Sequence, residues 1–509
     1  MTLTVISTPI DGTPLTRAAI EGRNSPWYVA RPADASQWID RGTRLRQKLL
    51  THQWTEDLAP ALAAFGRAAD NLDRAASAGF AITTGQQPGL FGGPLYTWWK
   101  ALSAVALAAR LESQMGVPVI PIFWAATDDS DFAEASYTVV PSPEGAERIE
   151  MSIDAPAGTS LSAVRLPDLD DQLAKLERSA GSGANGEMLK AVRSAYNPGV
   201  TVGGAYIDLL RRLLEPLGVP VLDASHPAVR KASHPLLIMA LESANKIDDA
   251  LTARSRELKG AGHSAQVKLV KGRTLVFGEE RGTRDRVRTR DIEKVLANTP
   301  VGSLGPNVLL RPIVENAIIP TLAYVGGPAE IAYFAQTTAV AEALDVVAPL
   351  VVPRWSGFVL EPRIEKILQR HSLTIEDFRD PHMVESRMAR ESLPAAFREG
   401  LAELRGAIEK TTGKLVRSEG ADLVPPSVLD GLKRGMNHRV DRLERRMAAS
   451  VKRKGNSALH DAATARGFLF PFGSPQERAL NLIPLLARNG NDLFDSVLQE
   501  ARKHAERIA

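Results

Sequence analysis

The 509-residue chain contains no cysteine. That absence excludes disulfides, thiolate zinc sites and cysteine nucleophiles together, and it agrees with a cytoplasmic setting. An excess of one charge is also missing. With 62 basic residues against 59 acidic ones, the formal net charge is +3, so nothing in the balance calls for nucleic acid or a membrane surface as partner. No apolar run reaches membrane-spanning length, and the first residues, with Asp11, Arg17 and Glu21, lack the basic-then-apolar layout of a signal peptide. What is present is a soluble, globular composition long enough for two or three domains with large buried cores.

The most informative stretch runs from Thr84 to Lys100, TGQQPGLFGGPLYTWWK. Upstream, Gly79 to Thr83 has strand composition; downstream, Thr97 to Met115 has helical periodicity. Strand, glycine turn and helix in that order suit a small-molecule site, because glycine lets backbone approach a ligand and a helix N-terminus favours an anion. The turn matches neither the dinucleotide fingerprint nor the P-loop. Many such turns carry glycine for geometry alone, but Gln86 and Gln87 put amide donors and acceptors where a structural turn would use Asn, Asp or Ser. A second apolar strand at Val117 to Trp124 completes a βαβ unit. It is followed at once by Asp128, Asp129, Asp131 and Glu134, at the strand end where open sheets bind ligands. Such carboxylates serve to hold either magnesium beside a nucleotide or an ammonium group.

The design repeats further on. Leu322 to Val325 is an apolar run that meets Gly326, Gly327 and Pro328, with Glu330 in the first turn of a helix. Arg311, before Pro312, and Arg354, after Leu350 to Pro353, are candidate anion clamps, though an Arg at a sheet end is as often an ion-pair partner. The α/β pattern predicts seven segments. These are an N-terminal helical layer over 1–78 anchored by Trp38, Trp54 and Phe65, a first Rossmann half at 79–140, and a Ser/Gly/Ala-rich insertion at 141–215. A sheet continuation spans 216–300, with strand-like pieces at Gln266 to Val270 and Thr274 to Phe277 and a solvated charged loop from Arg281 to Arg290. The second half follows at 301–360. His226 and His234 are read as capping or surface residues.

Beyond Glu361 the chain turns to charged helix. Phe397, Leu401, Leu404, Ile408 and Leu415, then Leu429, Leu432, Met436, Val440, Leu443, Met447 and Val451, recur at three, four or seven residues. This predicts a two-armed coiled coil at 361–465, with its turn near Gly420 and Pro425-Pro426 and a basic, solvated second arm from Lys433 to Lys454. A hairpin of that length is expected to dimerise. The aromatic stretch from Gly467 to Arg478 opens a final segment, 466–509, expected to pack back on the core.

Taken in order, several blocks resemble the BshC family, the cysteine-adding enzymes of bacillithiol biosynthesis. They are Thr84-Gly85-Gln86-Gln87, Gly93-Pro94-Leu95-Tyr96-Thr97 with Lys100, Phe123-Trp124 before Asp128 to Phe132, Asn307 to Pro312, Gly326 to Tyr333, Pro353-Arg354 and Pro475 to Arg478. The resemblance implies a Rossmann-like core with connecting insertions, related to nucleotidyl-transferring ligases, and a coiled-coil arm that makes a homodimer. It also implies a reaction joining cysteine through its carboxylate to the amine of glucosaminyl malate, with ATP or another nucleotide and possible use of magnesium. On this reading Gly85, Gln86, Gln87 and Gly89 are expected to bind the anionic part of a nucleotide or substrate, with Thr84, Gly93, Tyr96 and Lys100 as further binding residues, and Gln86, Gln87, Asp128, Asp129 and Asp131 are the candidate catalytic residues. Asp128, Asp129 and Asp131 position the amine or a metal. Asn307, Gly326, Gly327, Pro328, Glu330 and Tyr333 complete the crevice, and Arg311 and Arg354 offset carboxylate or phosphate charge. The chain departs from the related ligases in lacking their His-x-Gly-His signature, with Gln86-Gln87 in its place, so adenylate and acyl-phosphate routes both stay open. Competing readings are a ligase for another acid and amine, and a non-catalytic nucleotide-binding scaffold working through the basic arm.

Overall fold

The computed structural model describes residues 3–23, 25–280, 283–380, 383–418, 423–453 and 457–509. The chain divides into two compact units. The larger comprises the described residues up to 140, then 148–360 and 477–509; the smaller comprises 141–147 and 361–476.

Twelve strands occur among the described residues: β1 (Thr4–Ser7), β2 (Phe80–Gln86), β3 (Val119–Ala125), β4 (Tyr137–Ser142), β5 (Gly145–Glu150), β6 (Val221–Asp223), β7 (Arg273–Glu280), β8 (Thr283–Arg288), β9 (Leu304–Pro306), β10 (Thr321–Gly326), β11 (Val351–Pro353) and β12 (Gly357–Leu360). The centre of the larger unit is a parallel sheet in the order β11-β10-β2-β3-β6. β2 and β3 pair in register from Phe80↔Val119 to Gln86↔Ala125, and every residue of β3 is buried. A strand flanked on both sides by other strands and on both faces by helices is apolar throughout for this reason. From β2 the chain steps outward to β3 and β6; it later returns to the other side of β2 as β10 and steps away again to β11. The reversal places a switch point between the carboxyl ends of β2 and β10, where open α/β sheets form their ligand crevice.

Helices Leu95–Met115 and Pro328–Ala343 leave the two glycine turns and are buried along most of their length. The first begins two residues before the expected Thr97 and ends at Gly116, whose φ of 68 is left-handed backbone that glycine adopts without strain.

Several expectations are corrected. The N-terminal layer opens with a strand, since β1 pairs antiparallel with β12. Trp38 and Trp54 are buried, but Phe65 is half exposed at the start of helix Gly66–Ala75. Residues 266–270 form no strand: the Gln336 side chain supplies the pairing, its Oε1 accepting from Val267 N–H at 2.8 Å and its Nε2 donating to Val267 O at 2.8 Å. The charged loop is instead β8 from Thr283 onward, in an antiparallel sheet ordered β8-β7-β9; Arg281 lies outside the described residues. Residues 141–215 are not merely an insertion outside the core, because Leu161 and Leu176 within them are buried. His226, by contrast, caps a helix as expected, its Nδ1 accepting from Ala228 N–H at 3.1 Å.

In the smaller unit, helices Ala395–Val416 and Pro426–Arg453 pack together. Arg405 bonds Asp441 at 2.8 Å and Glu444 at 2.6 Å, while Lys433 meets Glu409 at 2.6 Å, a pairing that runs the two helices antiparallel. Leu401, Ile408 and Val440 are buried in their seam. The rest of the predicted seam is only partly used: Phe397, Leu404, Leu415, Leu432, Met436 and Leu443 are exposed. Gly420 and Lys454, and the side chain of Val451, lie outside the described residues. In the aromatic stretch Phe468 and Phe470 are buried and Phe472 is exposed.

Candidate functional site

β2 ends where it must pass close to its neighbour. A Cβ on Gly85 would lie 2.6 Å from Trp124 O, so only glycine lets the strand reach Gln86 here. Thr84 Oγ1 donates to Val325 O at 2.8 Å and ties β2 to β10. The turn that follows uses unusual backbone, with φ of 53 at Phe91, 89 at Gly92 and 73 at Gly93. Its carbonyls are satisfied by one buried side chain: Asn481 Nδ2 donates to Leu90 O at 3.3 Å, Phe91 O at 3.0 Å and Gly93 O at 3.3 Å. The Leu95 N–H at the helix start is likewise taken, donating to Leu480 O at 2.8 Å.

The crevice between the two turns opens into a cavity of about 570 Å³, a volume usual for small-molecule sites. Its floor is an ionic cluster. Lys100 Nζ donates to Gly85 O at 2.9 Å and Gln86 Oε1 at 2.8 Å, and meets Glu330 Oε2 at 2.5 Å. With three partners for three ammonium protons, Lys100 orders the site rather than offering a free cation. It fixes the Gln86 amide so that Nε2 faces Tyr96 OH at 3.3 Å. Glu330 also accepts from Gly327 N–H at 2.9 Å and from Tyr324 OH at 2.5 Å, so one carboxylate caps its helix and joins both turns. Burial opposes ionisation of Glu330, yet Lys100 and Arg311 hold its carboxyl below the usual range; burial lowers the Lys100 ammonium in turn, with Glu330 offsetting part of the effect.

Arg311 is held by Glu315 at 3.3 Å and by the hydroxyls of Tyr333 at 2.9 Å and Tyr324 at 3.4 Å. Glu315 lies beneath it, 1% exposed, and burial raises its carboxyl to about 7 against the opposing pull of Arg311. Arg354 is engaged as an ion-pair partner: its Nη1 and Nη2 donate to Glu477 Oε2 at 2.8 Å and Oε1 at 2.6 Å. On the acidic side, Asp129 accepts from Gln87 Nε2 at 2.7 Å and from Ser130 N–H at 2.6 Å. Asp128 pairs with Arg284 at 3.2 Å.

Of the residues singled out in the sequence, Gly85, Gln86, Gln87, Tyr96, Lys100, Asp128, Asp129, Asn307, Arg311, Gly327, Pro328, Glu330, Tyr333 and Arg354 line the cavity together. Thr84, Gly89, Gly93, Asp131 and Gly326 are not among its lining residues. Asp131 caps a short helix, accepting from Ala133 N–H at 3.0 Å and Glu134 N–H at 3.2 Å. Sequence reasoning missed Phe277, Arg284, Arg286 and Arg478, which also line it. The signal available for Arg284 and Arg286 was the alternation of Arg284, Arg286 and Arg288 at the period of a strand. Among the described residues no three His, Asp or Glu side chains gather as a metal site, so any magnesium held here would rely on one or two carboxylates such as Asp128 and Asp129 together with substrate oxygens.

Two family models match the chain: the N-terminal Rossmann-like domain of bacillithiol biosynthesis BshC over residues 21–355, and its C-terminal coiled-coil domain over residues 358–508. A protein of Solibacter usitatus is 34% identical over 85% of this chain and 85% of its own length, and one of Koribacter versatilis is 32% identical over 86% and 85%. A Staphylococcus carnosus relative is 26% identical over 83% of both chains. All three carry the name "Putative cysteine ligase BshC".

Proposed function

The chain belongs to the bacillithiol biosynthesis BshC family, and from that premise we propose that it is a ligase joining the carboxylate of cysteine to the amine of glucosaminyl malate, with nucleotide-dependent activation. The observation that carries this reading is the Lys100 to Glu330 ion pair, which locks two glycine turns into one cavity at the switch point of a Rossmann-like sheet. Amide formation from a free carboxylate needs its oxygen turned into a leaving group, by transfer of a phosphoryl or adenylyl group from the nucleotide. The amine then attacks the acyl carbon, the C–N bond forms as the C–O bond to the phosphate breaks, and the nitrogen gives up a proton. Donors at Gln86 and Gln87 suit the anionic partner, and Asp129 suits an ammonium group before attack. Magnesium would accompany the nucleotide phosphates. No described helix is long and apolar enough to cross a membrane, and cytoplasmic work is part of the same reading.

The test is mass spectrometry of the purified protein with ATP, magnesium, cysteine and glucosaminyl malate, following the thiol product and ATP together. Product with AMP supports an adenylate route and product with ADP an acyl phosphate. Absence of product, with both substrates intact, overturns the assignment.

We infer also that the helical hairpin joins two copies of the chain. The exposed apolar residues Phe397 and Leu404, seven apart on one arm, and Leu432, Met436 and Leu443, four and seven apart on the other, support this.

A further inference from the structure

The antiparallel sheet contributes a wall to the cavity that the sequence did not announce. Arg284 and Arg286 stand two residues apart on β8, so they share a face. Both guanidinium groups lie against the Phe277 ring, at 4.7 Å and 5.9 Å from its centroid. Their partners differ sharply. Arg284 donates to Asp128 O, pairs with Asp128 Oδ2 at 3.2 Å and reaches Pro306 O at 3.4 Å, which pins the wall to the end of β3. The Arg286 guanidinium has no hydrogen bond or ion pair among the described residues, although it lines the cavity. The nearby carboxylate is engaged elsewhere, for Asp285 pairs with Arg273 at 2.6 Å. Burial and the Arg273 charge depress the Arg286 guanidinium below its ordinary value, with the Asp285 charge offsetting part of the effect.

A second donor on the same wall is also unused. Asn307 follows β9, and its N–H donates to Leu275 O of β7 at 2.9 Å. Its side-chain Oδ1 accepts from Leu309 and Leu310 N–H at 3.1 and 3.0 Å, which fixes the amide orientation. Its Nδ2 is then left with no partner among the described residues, in a side chain only 3% exposed that lines the cavity. A buried donor without an acceptor is costly, and a ligand oxygen removes the cost.

We propose that Arg286 and Asn307 together bind an anionic oxygen group of a substrate, a carboxylate of the acceptor or a phosphate of the nucleotide. The choice of probes rests on the ligase reading; the binding itself does not.

Calorimetric titration of the full chain tests this without requiring turnover. Glucosaminyl malate, its dimethyl ester and ATP with magnesium are titrated into the wild type, Arg286→Gln and Asn307→Ala, with Arg286→Lys as a charge-retaining control for folding. Losing a charge-assisted hydrogen bond should weaken the relevant ligand by about tenfold or more. Weaker binding of glucosaminyl malate, with the ester bound equally by wild type and variant, assigns the wall to the acceptor carboxylates. Weaker binding of ATP alone assigns it to phosphate. Unchanged affinity for all three in a folded Arg286→Gln protein overturns the proposal. Failure of ligation with binding intact counts against the ligase reading alone.

Discussion

Lys100 Nζ and Glu330 Oε2 lie 2.5 Å apart with side chains 4% and 16% exposed, and they connect the helix after one glycine turn to the helix after the other. Removing one partner strands a buried charge. Lys100→Met and Glu330→Gln should each cost about 3–5 kcal/mol of unfolding free energy in urea, and the double variant should cost less than the sum. Additive losses would show that the two residues act independently.

A different outcome is expected at Arg354, because Glu477 already takes two of its donors. Arg354→Gln and Glu477→Gln should both lower the melting temperature, with the first leaving an unpaired carboxylate and the second an unpaired guanidinium, at a cost of about 3–5 kcal/mol each. If Arg354→Gln instead weakened nucleotide binding with stability unchanged, its guanidinium would serve the ligand rather than the fold.

Glu315 gives stability a pH dependence. Burial pushes its folded carboxyl up to about 7 from the ordinary 4.5, so between those values the folded protein holds a proton that the unfolded chain has lost. Stability therefore falls as pH rises through this window and levels off above about 7. The total is on the order of 3 kcal/mol. Melting curves from pH 5 to 8 should show this slope in the wild type and a flatter profile in Glu315→Gln; identical slopes would contradict it.

The hairpin prediction concerns mass. Leu432→Asp with Leu443→Asp introduces charge at two exposed apolar positions, each 47% exposed, and should convert a dimer into a monomer in sedimentation equilibrium while leaving the helical content unchanged. A wild-type monomer would end the dimer reading.

The parallel sheet was legible because its signals are local: apolar runs such as Val119–Ala125 have one environment on both faces, and glycine at 85 and 326–327 marks their exits. The cavity floor was legible for the same reason, since Lys100 in the second turn and Glu330 in the first turn belong to helices leaving those exits. What escaped reading depended on distant partners. β8 looks like a solvated loop until β7 pairs with it, and residues 266–270 look like a strand until Gln336 occupies their backbone groups. Arg354 reads as a clamp for anions unless Glu477, 123 residues away, is known to reach it. In the hairpin, heptad spacing marks apolar positions but does not say which pair internally, so Leu401 and Leu404 looked alike.

Asn481 has a consequence for the order in which the protein becomes competent. The carbonyls it satisfies belong to residues 388–391 positions earlier in the chain, at Gly93, Phe91 and Leu90. During translation, at roughly 5–20 residues per second, the turn is made on the order of 20–80 seconds before its clasp emerges. The nascent sheet can therefore assemble while the glycine turn beside Gln86 still lacks its final restraint. The last hydrogen bonds that hold this turn are thus supplied by one of the latest parts of the chain to be made.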